Sequence, residues 1–118
     1  MSHWLRDRAA ISGVGETAYT RGTTQSGLAL QLEASLRAID DAGLKPADID
    51  GIIPYFPGGG IAEDFVANLG LPDLALSAFI PMGGATCVAA LQTAAMAVAS
   101  GVCRNVLMSV GRTGYSGA

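Results

Sequence analysis

Apolar positions along this chain keep two rhythms, short β-branched runs and longer stretches at helical spacing, and they alternate. Residues 9–15 (AAISGVG) read as a short buried strand ending in glycines. After a polar loop through residues 20–24, Leu28, Leu32, Leu36 and Ile39 recur at helical spacing, while Glu33, Arg37, Asp40 and Asp41 fall mainly on other faces. This predicts an amphipathic helix capped by Thr24 or Ser26 and stopped at Gly43, with Lys45-Pro46 beyond. Residues 49–55 follow as a second strand, entered by a turn at Ala47-Asp48, with Pro54 marking its end or an edge position. The glycine-rich loop 57–60 leads to a short helix at 61–69, closed by Gly70.

The next joint is the most informative. A third strand at residues 74–80, bounded by Leu74 and Ile80, runs into Pro81-Met82-Gly83-Gly84-Ala85-Thr86-Cys87. A long Ala-rich helix without a single charge, residues 88–101, comes after it, then a fourth strand at 105–110. Alternation of strands and helices means βαβ units and a largely parallel sheet. A strand–bend–helix joint presents backbone N–H groups at the positive end of a helix dipole, where an oxyanion, a thioester carbonyl or a thiol of lowered pKa is favoured. Glycines there also serve a plainer purpose, a tight turn under close packing.

With 118 residues the chain fits one domain. Half of it is hydrophobic and only 14% charged, so surface is expected to be buried against another copy, another chain or a continuation of this one. A net charge of −3 without a basic stripe excludes nucleic acid as a partner. The N-terminus lacks the apolar core of a signal peptide, and the apolar stretch 88–102 is too short and too Ala-rich to span a membrane. Two cysteines, Cys87 and Cys103, suit reduced thiols in a cytoplasmic protein.

Several motifs offer chemistry. Gly13-Val14-Gly15-Glu16-Thr17-Ala18 matches G-x-G-x-x-A, but the following helix begins too late to hold a pyrophosphate. Gly58-Gly59-Gly60 lacks the ending of a phosphate-binding P-loop. Cys87 falls in the first turn of the long helix, yet the only histidine is His3, so no Cys–His pair is evident. Cys103 reads as structural, one histidine and two separated cysteines make no metal site, and solvation accounts for Asp48, Asp50, Glu63, Asp64 and Asp73.

Taken in succession, residues 10–17, the amphipathic helix, residues 47–52, and Gly83-Gly84-Ala85-Thr86 leading to an Ala-rich helix and Ser100-Gly101 resemble the N-terminal half of the thiolase superfamily. The nearest branch is that of sterol-carrier-protein-associated thiolases and lipid-transfer proteins. The resemblance implies an α/β fold, a thiolase-like βαβαβ half with a mixed, mainly parallel sheet and a buried Ala-rich central helix. It also implies that residues 1–118 are an N-terminal domain whose C-terminal half is absent, inactive by itself. Thiolases carry their acylated cysteine at this joint, and counting back from Ser100-Gly101 puts that position at Gly84, three residues before Cys87. Relatives without the cysteine include aldolases that cleave β-hydroxyacyl-CoA side chains of steroids with a small OB-fold (DUF35) partner.

The expectation is therefore a carbon–carbon lyase of the retro-aldol type, acting on an acyl-CoA in lipid or steroid side-chain degradation. Gly83, Gly84 and Ala85 form its substrate-binding floor, and coenzyme A enters only as part of the substrate. Two alternatives stay open: an acetyl-CoA acetyltransferase with Cys87 as catalytic nucleophile, and a non-catalytic acyl-CoA-binding scaffold subunit. The resemblance further implies a homodimer, paired through the strand from Leu74 to Ile80.

Overall fold

Why the described residues form three α-helices around a small sheet is best seen from the central strand. The computed structural model describes residues 5–55 and 59–113; His3, Pro57, Gly58 and the tail from residue 114 lie outside them. Strand β1, Gly51–Pro54, is buried at all four positions. Such a strand needs cover on both faces, as in parallel sheets flanked by helices. Its neighbours are β2, Leu76–Ser77, and β3, Val106–Ser109, both parallel to it in the order β2-β1-β3.

Helix α1, Gly27–Asp41, starts at Ser26, whose hydroxyl accepts from the Ala29 amide. It ends before Gly43, which takes a left-handed φ of 72°. Helix α2, Ala62–Leu69, joins β1 to β2 and stops at left-handed Gly70; helix α3, Thr86–Ala99, joins β2 to β3. The chain moves one way from β1 to β2 and back across β1 to β3. Right-handed crossovers in opposite directions place their helices on opposite faces. The packing obeys this. Ile52, Phe65, Leu71, Leu107 and Ile39 share a core on the α1/α2 side, while Ile53, Ala90 and Ala94 pack with Leu76, Ile80 and Val106 on the α3 side. Ile52 and Phe65 have no exposed surface, each contributing about 2–3 kcal/mol of hydrophobic stabilisation.

A single residue fastens the start of all three strands. The Asp50 amide donates to Asn105 O, and its carbonyl accepts from Ala75 and Leu76. Its carboxylate takes the amides of Arg104 and Asn105 at 2.9–3.0 Å. Other acids also hold backbone amides: Asp41 that of Val14, Asp48 that of Lys45 and Asp64 that of Ile61. Solvation is thus the wrong account of Asp48, Asp50 and Asp64.

Four expectations change. Among the described residues, 9–15 pairs with no strand. It lies along α1, held by Asp41 and by Arg37 donating to Glu16 O, with Gly13 and Gly15 seated against the α1 backbone where a Cβ would collide. The third strand shrinks from 74–80 to Leu76–Ser77, because β1 and the residue before it supply partners only around Ala75 to Ala78. The described sheet is parallel throughout and not mixed. The Ala-rich helix is buried along one line only, Thr86, Ala90, Ala94 and Ala97; Val88 is 74% exposed, and Leu91 and Met96 are exposed as well. Among the described residues nothing covers that second face.

Candidate functional site

In sheets whose strand order reverses, ligands settle outside the carboxyl ends of the strands at the point of reversal. Here those ends are Pro54-Tyr55 and Ser109-Val110, and beside them opens a cleft of about 380 Å³. Residues 11–15 and α1 form one wall. The start of α3, with Thr86, Cys87 and Ala90, forms the other. A larger cavity of about 540 Å³ continues beneath Ile11 and Leu91 toward Arg8 and Arg104, but its lining carries no carboxylate, thiol or imidazole. Side chains with reactive oxygen or sulfur atoms sit on the smaller cleft: Ser35, Tyr55, Thr86, Cys87 and Ser109.

The joint before α3 is a single 3-10 turn, Gly83–Ala85, and all three residues are exposed. Gly83 has a left-handed φ of 57°, which an L side chain adopts only at a cost of about 1–2 kcal/mol. An added Cβ at Gly84 would meet only open space. Thr86 organises the turn: its hydroxyl accepts from the Met82 amide at 3.0 Å, while Thr86 itself is buried. The Ala85 amide is committed to Met82 O and the Thr86 amide to Gly83 O. Among the described residues, the amides of Gly83 and Gly84 donate to no protein acceptor. They belong to the 3-10 turn that leads into the positive end of the 14-residue helix.

Of the residues that the sequence singles out, Gly83, Gly84 and Ala85 therefore share one exposed turn, next in sequence to Thr86 and Cys87 of the cleft lining. Cys87 is exposed and lines the cleft; Cys103 is buried, its thiol aimed at Asp50 O. Burial pushes the Cys103 thiol up, with the Asp50 charge adding to it. Gly13 and Gly15 serve helix packing, and α1 begins only at Gly27, so the G-x-G-x-x-A match feeds no helix. Among the described residues no group of three or more His, Cys, Asp or Glu could hold a metal ion. No described helix is long and apolar enough to cross a membrane.

Two residues that the sequence pattern does not mark support the cleft, Gln31 from behind and Ser35 in its lining. Gln31 is fully buried, and its Nε2 donates to Tyr55 O at 3.2 Å and to Ser109 O at 3.1 Å. Its Oε1 accepts from the Gly60 amide at 2.6 Å. Ser35 donates to the Ser109 hydroxyl, which in turn donates to Gln31 O. The available signal was the α1 line Gly27, Gln31, Ser35, Ile39 at spacing four, the buried line of the helix. Leu36, counted on the apolar face, is 48% exposed.

An α/β/α domain with a cleft at its strand ends and an open glycine rim is the class that this geometry defines. No family model matches the chain. It is 36% identical over 103 residues to a steroid side-chain-cleaving aldolase of Thermomonospora curvata, covering 87% of this chain and 26% of that protein. It is 38% identical over 98 residues to a 17-hydroxy-3-oxo-4-pregnene-20-carboxyl-CoA lyase of Mycobacterium tuberculosis, covering 83% and 25%. Among solved structures it is similar to an Ltp2-ChsH2(DUF35) aldolase, with a TM-score of 0.82, 35% identity, and coverage of 92% of this chain and 28% of the other. The chain thus spans about a quarter of the length of these relatives.

These findings correct the resemblance to the thiolase superfamily and its lipid-transfer branch. The three matches are named as aldolase or lyase, none as a thiolase, and DUF35 stands in the name of the matched structure itself. The physical reason lies in the motifs. Paired glycines at a bend and an alanine-rich helix encode a joint between sheet and helix, and that joint specifies no thiol chemistry.

Proposed function

We propose that this chain is part of a carbon–carbon lyase that cleaves a β-hydroxyacyl-CoA by a retro-aldol step, in lipid or steroid side-chain degradation. The observation that carries the reading is the exposed turn at Gly83 and Gly84, two uncommitted amides just before Thr86 and Cys87, which line an apolar cleft. The names of the relatives support the same reaction class. In this reaction a base takes the proton of the β-hydroxyl, the Cα–Cβ bond breaks, and a ketone forms at Cβ. The bonding pair passes to Cα as an enolate whose charge rests on the thioester oxygen, and protonation of Cα releases the shortened acyl-CoA.

Charge develops on that oxygen only as the bond breaks, so donors aimed at it favour the transition state over the substrate. Gly83 and Gly84 supply such donors; the Ala85 amide, already bonded to Met82 O, shapes the turn instead. The apolar wall around Ile11, Ala90 and Leu91 suits a hydrophobic acyl group. We assign the hydroxyl base and the Cα acid to parts of the protein beyond this segment. Cys87 lines the rim without forming an acyl-enzyme. We extend to this chain the DUF35 association in the name of its structural relative, as an assembly with an OB-fold component.

The test uses the intact protein, with and without a DUF35-type partner, and a steroid acyl-CoA bearing a β-hydroxyl. Mass spectrometry should find a ketone and a shortened acyl-CoA in equal amounts. Gly84→Leu, which has room in the fold, should block the rim and lower turnover by about 10²-fold with stability unchanged. An acyl group trapped on Cys87 would overturn the retro-aldol reading. Tight acyl-CoA binding without turnover under any pairing would favour the scaffold subunit instead.

A further inference from the structure

We propose that Gln31 is a positioning residue for the cleft: its carboxamide ties the ends of β1 and β3 and the turn at Gly59-Gly60 into one rigid wall. The inference rests on the reading of the cleft as the substrate site. Gln31 is deep in the protein, 0% exposed, and far in sequence from the glycine rim. A primary amide has two N–H donors and one carbonyl acceptor. Gln31 uses all of them, on Tyr55 O, Ser109 O and the Gly60 amide. Each partner belongs to a different segment, and two of the three, Tyr55 and Ser109, line the cleft.

Backbone closes tightly around this side chain. An added Cβ at Gly59 would strike the Gln31 carboxamide, and one at Gly111 would strike its Cγ and Gly27 O. Glycine at both places lets backbone close around a glutamine, and a polar group enclosed without alternatives has one conformation. Ser109 doubles the tie, accepting from Tyr55 N through its carbonyl at 2.7 Å and reaching Ser35 and Gln31 O through its hydroxyl. Loss of the carboxamide would therefore leave the strand ladder intact while freeing Tyr55 O and the Gly60 amide, so the wall loosens at the substrate and not in the core. A buried network this complete specifies position more than it adds stability.

The experiment compares Gln31→Met, close in size and without hydrogen bonds, with Gln31→Glu and the milder Ser109→Ala in the intact protein. With near-ultraviolet circular dichroism at the wild-type value, KM for the steroid acyl-CoA should rise about tenfold or more in Gln31→Met. Gln31→Glu should regain part of that loss as pH falls, because only the protonated acid can donate to a strand-end carbonyl. A merely structural role would lower kcat with the folded fraction and leave KM at the wild-type value, and that result overturns the proposal. If Gln31→Met does not fold, Ser109→Ala decides by the same split between KM and kcat. Should the wild type show no turnover, the lyase reading fails by itself. Gln31 is then judged by alkylation of Cys87 with a bulky maleimide, where a several-fold change in Gln31→Met supports it and an unchanged rate overturns it.

Discussion

Replacing Asp50 probes how much one carboxylate contributes at the place where the three strands begin. In Asp50→Ala two backbone amides lose their acceptor, those of Arg104 and Asn105, now held at 2.9–3.0 Å. Arg104 is exposed and its amide can turn to water; Asn105 is only half-buried and its amide is rewarded less by solvent. Hydrogen bonds to a charged acceptor are worth about 1.5–3 kcal/mol each, and the loss at an accessible amide is a fraction of that, so Asp50→Ala should cost about 2–3 kcal/mol. Asp50→Asn keeps an oxygen at the Oδ1 position, which serves both amides, but sets an NH₂ against the Arg104 N–H. It should cost about 1–2 kcal/mol. Urea unfolding followed by circular dichroism measures both; with a slope near 2 kcal/mol per molar, the alanine midpoint should fall by about 1 M. An alanine variant within about 0.5 kcal/mol of wild type would refute the idea that this carboxylate fastens the sheet.

Two further expectations follow from the same structure. The raised Cys103 thiol makes stability pH-dependent: the folded state keeps the proton where the unfolded chain gives it up, so stability is full below the ordinary thiol value of 9.0 and declines as pH rises through the raised one. Urea midpoints taken from neutral to alkaline pH should show this decline in wild type and a shallower one in Cys103→Ala; parallel curves would count against it. The proposed dimer through the outer edge of β2 is tested by Ser77→Pro. Leu76 donates to Asp50 O and Ala78 to Ile52 O, so the alternation of a strand turns the Ser77 amide outward, and proline there spares the sheet. Sedimentation should report a monomer, and a persistent dimer would rule out pairing by that edge.

The helices were legible because their signals are local. Ser26 as cap, Gly43 and Gly70 as stops, and the charge-free run after Thr86 each act within a turn or two. The bend at Gly83 and Gly84 was legible for the same reason, since a glycine pair between strand and helix needs no distant partner to be recognised. What could not be read depends on contacts across the chain. Residues 9–15 have a strand's composition, but pairing needs a neighbour, and here α1 takes that place against Gly13 and Gly15. Gln31 and Ser35 read as polar positions of an amphipathic helix until Ser109, more than 70 residues later, arrives beside them. Asp50 looked like a solvated acid because its two amide donors lie 54 and 55 residues away. The resemblance to thiolases failed on a related ground: glycine and alanine at a bend describe a shape shared by unlike reactions.

With a carboxylate anchoring the strands where they start and a carboxamide anchoring them where they finish, the parallel sheet has no freedom to slip by a residue. Accommodation of an incoming ligand must then be borne elsewhere. The turn at Gly83 and Gly84 lies outside both anchors, with open space where a side chain at either glycine would project.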